Sequence, residues 1–277
     1  MHKMLSPVAL LLSLMAGVVG CSSWSGAASA DESPTHTSAM CFQREVFADT
    51  VFLSDYALTT DSYASPAVAV LPSRLSFVDC EFQGPVYAGR PGMRVAGGSL
   101  CFAGSTLQRG ADLRGLTLSH SLDFQRAVPR ATLDLEGITV SHVVDLRELA
   151  ASGDVRLPNA RIGELRARKA VVGGALSLQR LRVTHGCSWI EAQVDGFLDA
   201  SYVTVLGDSF FDLCHVGGRA LMDHADFRGR LSLAQTSWTD LNIRHVRLRD
   251  AYDGPSLEEL PEQRREQLRR DLDVLGQ

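Results

Sequence analysis

Lysine is almost missing from this chain: after Lys3 only Lys169 occurs, and arginine carries the rest of the positive charge. Lys and Arg together number 27 against 32 Asp and Glu, for a net charge of -5. No basic run gathers that could track a nucleic acid or an anionic lipid surface. Aromatic residues are scarce at 7%, so little is available to line a sugar-stacking groove. Trp24 lies near the start, and Trp189 and Trp238 fall at positions that read as inward. There is no G-x-S-x-G, no Walker loop, no G-x-G-x-x-G after a strand, and no Cys set by a His in a recognisable motif. A helical period is missing too, since apolar residues recur at spacings of two, three and five rather than three and four.

The apolar run that does exist comes first. Val8 to Val19 follows His2 and Lys3 and precedes Gly20. At roughly a dozen residues it is too short to span a bilayer of ~30 Å, so residues 1–20 read as a cleaved export signal. Val18-Val19-Gly20-Cys21 resembles the lipobox of bacterial lipoproteins. The resemblance implies that Cys21 becomes the lipidated first residue of the mature protein, whose net charge without Lys3 is one lower. Residues 21–40, rich in Ser, Ala, Thr and Gly, read as a flexible tether. Ser22 in place of an acidic residue resembles the sorting preference for the periplasmic side of the outer membrane in Gram-negative cells.

The remainder is a repeat. Cut every eleven residues from Gly110, the chain returns an apolar-x-apolar triplet at Ala111/Leu113, Leu122/Phe124, Leu133/Leu135 and Val144/Leu146. The frame continues at Val155/Leu157 and slips back by one residue between Gly163 and Leu165. It then runs through Leu165/Ala167, Leu176/Leu178, Cys187/Trp189, Leu198/Ala200, Ser209/Phe211, Ala220/Met222 and Leu231/Leu233, and upstream the same pattern appears at Leu75/Phe77, Val86/Ala88 and Leu100/Phe102. A further apolar residue follows each triplet, as at Leu118, Pro129, Val140, Ile162, Val183, Val203, Val216, Phe227 and Trp238. Strand alternation turns both triplet members inward and the middle residue out. Short strands of this kind bury a face only by stacking on their neighbours. The expected fold is therefore all-β: a parallel solenoid over residues 41–255 with coils of ~22 residues, each built of two eleven-residue halves. Thr59 to Ser73 breaks the pattern and reads as a loop or cap. Residues 256–277 read as a short capping helix, with Ser256-Leu257-Glu258-Glu259 as its capping box.

Ala111-Asp112-Leu113-Arg114-Gly115 and Ala225-Asp226-Phe227-Arg228-Gly229 resemble the repeat unit of pentapeptide-repeat proteins. That family implies a four-sided, right-handed solenoid with an inward Leu or Phe every five residues. Here the spacing alternates between five and six, and many units lack the small residue. Some members of the family mimic DNA and bind topoisomerase, a role that export argues against.

The outward middle positions carry candidate chemistry. Asp112 and Asp134, and Asp123 and Asp145, are each one coil apart and should form two carboxylate ladders, a separation that glycoside hydrolysis can use. His120, His142, Glu164 and His185 read as one corner column, and imidazoles with a carboxylate can hold zinc. Stacked coils offer a line of ligands ~4.8 Å apart, whereas zinc needs ligands converging to ~2 Å from the metal. Two neighbours could share a metal but all four could not, so solvated corner residues and no cofactor are the expectation. Asp223-His224-Ala225-Asp226 is a weaker cluster of the same kind. Besides Cys21, the cysteines Cys41, Cys80, Cys101, Cys187 and Cys214 are odd in number, so at least one is free or paired between molecules. Cys80 and Cys101, about one coil apart, could stack as neighbours.

The expectation is a non-enzymatic solenoid held at the cell envelope through Cys21, serving as a scaffold or a docking module for an envelope protein. No nucleic-acid partner is expected, and the residues do not specify an oligomeric state. The alternative is a carbohydrate-active enzyme or glycan binder using the Asp or His ladders.

Overall fold

A computed structural model describes residues 38–61, 67–248 and 252–253 of the chain. The export signal, most of the tether and the capping helix of residues 256–277 lie outside the described residues. Contacts divide the chain into Met1–His36 and Thr37–Gln277, and all the described residues belong to the second unit. Its first strand, Ala39–Gln43, begins two residues before the expected start of the solenoid.

Each coil has four faces. In the first coil these are Ala39–Gln43 (face 1), Val46–Phe47 (face 2), Val51–Phe52 (face 3) and Ala67–Val70 (face 4). Later coils repeat the order, for example with Leu122–Asp123, Val128–Pro129 and Leu133–Asp134 on faces 1 to 3. The next strand, Thr139–Asp145, serves as face 4 and runs on around the corner into face 1. Every coil-to-coil pairing is parallel, and its register follows the repeat: Leu100 stands on Leu122, Ala111 on Leu133 and Thr117 on Thr139. The four-sided plan that the pentapeptide-repeat resemblance implied is therefore kept, with the alternation of five and six residues spread over four corners.

Both members of the triplets between Leu75 and Leu233 are buried, as expected. A third inward row follows them at the turns: Leu116, Ala127, Ile138, Leu149, Ala160, Ala170, Leu181, Ala192, Val203, Cys214 and Ala225. Val203 belongs to this row rather than to the strand position, which Val205 fills. Trp238 is only partly buried, on the edge of the core. At one interior column the rings stack coil on coil, with centroids 5.1 Å apart for Phe42–Phe77, 5.3 Å for Phe77–Phe102 and 5.1 Å for Phe102–Phe124. Each fully buried ring contributes about 1.5–3 kcal/mol of transfer free energy, and stacking adds to it.

In most coils two corners turn through a residue in the left-handed region. Between faces 3 and 4 these are Gly115, Gly137, Asn159, Arg180, Tyr202, His224 and His245. Gly is the residue best suited to that conformation, yet the later coils use bulky side chains there. Those side chains stack on one another, which offsets part of a cost of about 1–2 kcal/mol per L-residue.

The one-residue slip lies at the corner between faces 4 and 1. Val140 pairs with Ile162, but Val143 pairs with Glu164, so Gly163 alone stands where the coil before has Ser141 and His142. A second slip occurs where Thr239 replaces Gly217 and Gly218. Pro129 interrupts face 2, since it has no N–H to complete the ladder with the next coil. The stack is carried across by Ala150 N–H donating to Ala127 O (3.0 Å) and Ser152 N–H to Pro129 O (2.9 Å).

The stretch expected as a loop or cap holds more structure than that. Just after a 3-10 turn at Leu53–Tyr56, Thr59–Asp61 pairs antiparallel with Ala67–Val70. Ala67–Val70 is also parallel to Met93–Gly97, so the hairpin covers the open edge of face 4 at the first coil. Uncovered strand edges invite pairing with other chains, which gives this hairpin its physical role.

Candidate functional site

The two Asp ladders stand in the expected register. Asp112 pairs with Asp134 on face 3, and Asp123 with Asp145 on face 1. Each carboxylate is closed off by its own turn. The backbone N–H two residues on donates to it: Arg114 to Asp112 (3.3 Å), Gln125 to Asp123 (2.8 Å), Glu136 to Asp134 (3.1 Å) and Arg147 to Asp145 (3.0 Å). Arg114 grips Asp112 through Nε (2.8 Å) and Nη2 (2.6 Å). Arg147 grips Asp145 in the same way at 2.6–2.9 Å, and Arg156 reaches Asp134 at 3.4 Å. The hydrogen bonds from Arg114 hold the Asp112 carboxyl below the ordinary carboxylate value. A general acid needs the opposite shift. The ladders come together as a line of turn-bonded groups, of which Asp112, Asp134 and Asp145 are also ion-paired.

The corner column forms only in part. His120 and His142 stack with ring centroids 5.4 Å apart, and Ser119 Oγ hydrogen-bonds His120 Nδ1 at 2.9 Å. Glu164 is not in the column. The slip places Gly163 at the corner and turns Glu164 onto face 1 opposite Val143 and Gly186, where Arg166 holds it through two hydrogen bonds of 2.7 and 2.8 Å. His185 is therefore separated from His142 by a glycine coil. The Asp223 to Asp226 cluster is pulled apart as well: Asp223 accepts Arg244 N–H (3.2 Å), Ala225 is buried, and Asp226 pairs with Arg228 on face 4 (2.9 Å). Among the described residues no three His, Cys, Asp or Glu side chains are placed to hold a metal ion together.

Sequence reasoning missed a different column. At the left-handed corner between faces 3 and 4, the Arg180 guanidinium lies 5.7 Å from the Tyr202 ring centre, Tyr202 stacks on His224 at 5.0 Å, and His224 stacks on His245 at 4.8 Å. Their spacings of 22, 22 and 21 residues were legible, but the corner position carries no apolar signal to draw notice.

Cys41, Cys80, Cys101, Cys187 and Cys214 are all free thiols, and only Cys41 is exposed. Cys80 and Cys101 do not stack. Cys101 stands on Ser76 and under Asp123 on face 1, while the Cys80 thiol faces the carbonyls of Phe42 and Val78. Burial pushes the thiols of Cys187 and Cys214 up to about 12, so almost no thiolate exists near neutral pH. Alkylation of the native protein is expected to label Cys41 readily and to spare these two until denaturant is added, as read by peptide mass mapping. Equal labelling of Cys41 and Cys187 without denaturant would contradict the packing.

No family model and no curated protein matches this chain. A solved structure of QnrB1, a plasmid-mediated fluoroquinolone resistance protein in a trypsin-treated variant form, is similar over 84% of this chain and 96% of its own. The identity is 12% and the TM-score 0.23. So distant a likeness says nothing of what this chain does.

Proposed function

We propose that this protein is a non-catalytic solenoid held at the cell envelope by a lipid on Cys21, where it serves as a scaffold or docks an envelope protein. The observation that carries the non-catalytic part is the engagement of the Asp ladders, each carboxylate by a turn N–H and two of the four, Asp112 and Asp145, by an Arg fork. The same engagement counts against the carbohydrate-active reading, which needs one carboxyl free to donate a proton. The anchor rests on Val18-Val19-Gly20-Cys21, and the tether on the polar composition that follows. A single lipid chain binds membranes only marginally, so stable attachment would require multiple acylation. Right-handed winding and a helix closing the last coil belong to the same proposal.

The test is a pull-down of the lipidated protein from its own envelope after mild crosslinking, with Cys21→Ala as the comparison. A defined protein partner that is lost, together with membrane association, in Cys21→Ala is the expected result. Recovery of glycan fragments with no protein partner would overturn the scaffold reading, and unchanged membrane association of Cys21→Ala would overturn the anchor.

A further inference from the structure

Eight arginines of the described chain are ion-paired: Arg90, Arg114, Arg147, Arg156, Arg166, Arg168, Arg219 and Arg228. Three others meet at one place without any carboxylate. Arg161 and Arg182 are direct partners on face 4, one strand spacing of ~4.8 Å apart. Arg180 occupies the adjoining corner, two residues ahead of Arg182. Together with Asn159, Leu181 and Thr204 they line a hollow of about 510 Å³. Along the face the neighbours of the pair are Thr139 and Thr204. The next carboxylate on the face, Asp226, is engaged by Arg228.

This arrangement comes from the slip at Gly163. Under a strict 22-residue coil Arg161 would stand against Val183; the missing residue sets it against Arg182 instead. Like charges directly opposite on neighbouring strands are unfavourable, and this acidic protein provides no counter-charge there among the described residues. Arg180 is held against the Tyr202 ring, which limits the freedom that an arginine otherwise loses when it grips a ligand.

We propose that this hollow binds a phosphate group, carried by a phosphate ester. Guanidinium forks match phosphate oxygens in pairs. A tetrahedral phosphate offers enough acceptors for three forks at once, whereas a single carboxylate has two oxygens to share. Asn159 and Thr204 add neutral donors at the two ends of the hollow. With the protein's net charge at -5, one phosphate group suits the site better than a long polyanion. The proposal does not depend on the anchor at Cys21.

The experiment is a calorimetric titration of inorganic phosphate into the full chain in detergent at low salt. Saturable binding is expected, weakened about tenfold by Arg180→Ala and about a hundredfold by Arg161→Ala combined with Arg182→Ala, in keeping with roughly tenfold per charge-assisted contact. Arg114→Ala, whose guanidinium is spent on Asp112, should bind phosphate as the wild type does, and acetate should bind at least about tenfold more weakly than phosphate. The absence of saturable binding up to about 20 mM phosphate, or undiminished binding in the double variant, would overturn the site. Two further arms separate the sources of the ester, both in a Cys21→Ala background so that an anchor contributes nothing. Soluble glycerol phosphate is titrated in one, and vesicles of phosphatidylglycerol in phosphatidylcholine are co-sedimented in the other. Binding in either arm that disappears with Arg161 and Arg182 supports the site and names its source; binding in both that survives their loss refutes it.

Discussion

Replacing Phe102 by alanine is expected to lower the stability of the solenoid by about 3–5 kcal/mol, the range found for removing a buried aromatic ring. Phe102 is fully buried and is stacked between Phe77 at 5.3 Å and Phe124 at 5.1 Å, with the Phe82 ring edge-on at 5.7 Å. Its removal empties a slot that three rings border and that short, parallel-paired strands cannot close by shifting. Denaturant titration should show an earlier midpoint. Because repeats of this kind couple mainly to their nearest neighbours, amide exchange should rise first around Phe77, Phe102 and Phe124. Phe102→Leu, which keeps an apolar side chain at the position as Leu146 does one coil beyond Phe124, should cost markedly less. An alanine variant as stable as the wild type would mean that the ring stack contributes little.

Gly207→Ala is expected to be of comparable severity, about 3 kcal/mol or more, for a reason unrelated to hydrophobic burial. A Cβ built on Gly207 falls on the backbone carbonyl of His185 in the coil before. That carbonyl belongs to a stacked coil and cannot rotate away as a side chain would, so the two coils must part or the corner must open. Gly115→Ala provides the contrast. Nothing lies within 4 Å of its added Cβ, and its φ of +68° alone disfavours alanine, at a cost of about 1 kcal/mol. Thermal unfolding of the two variants side by side should rank Gly207→Ala well below Gly115→Ala. The reverse order would show that backbone conformation rather than coil contact governs the corners.

The repeat period was readable because burial alternates with strand geometry, and the inward triplets from Leu75/Phe77 to Leu231/Leu233 followed from that alternation. The Asp ladders were readable for the same reason, since a constant coil length puts Asp112 on Asp134 and Asp123 on Asp145. The closing of each Asp by the N–H two residues on was not, nor was the Arg grip on Asp112 and Asp145, although Asp112-Leu113-Arg114 and Asp145-Leu146-Arg147 both spell it out. An outward side chain leaves no periodic apolar trace, so its partners have to be seen in space.

The corners were the least legible. A slip of one residue is visible in the sequence as a change of frame, but its place within the coil is not. The expected column of His120, His142, Glu164 and His185 failed on that point: the missing residue fell at the corner itself, leaving Gly163 in the column and Glu164 on face 1. The hairpin of Thr59–Asp61 with Ala67–Val70 showed in the sequence only as a break in the pattern, because its antiparallel pairing leaves no period to read.

By itself, then, the sequence determined a parallel all-β solenoid, its coil length and the inward or outward sense of nearly every strand residue. These depend only on local alternation and a constant period. The tertiary structure alone decided which outward groups neutralise one another, which rings stack along the corner from Arg180 to His245, and which arginines meet unpaired. Those outcomes depend on the exact coil-to-coil register, and one residue more or less at a corner changes every neighbour on the face that follows.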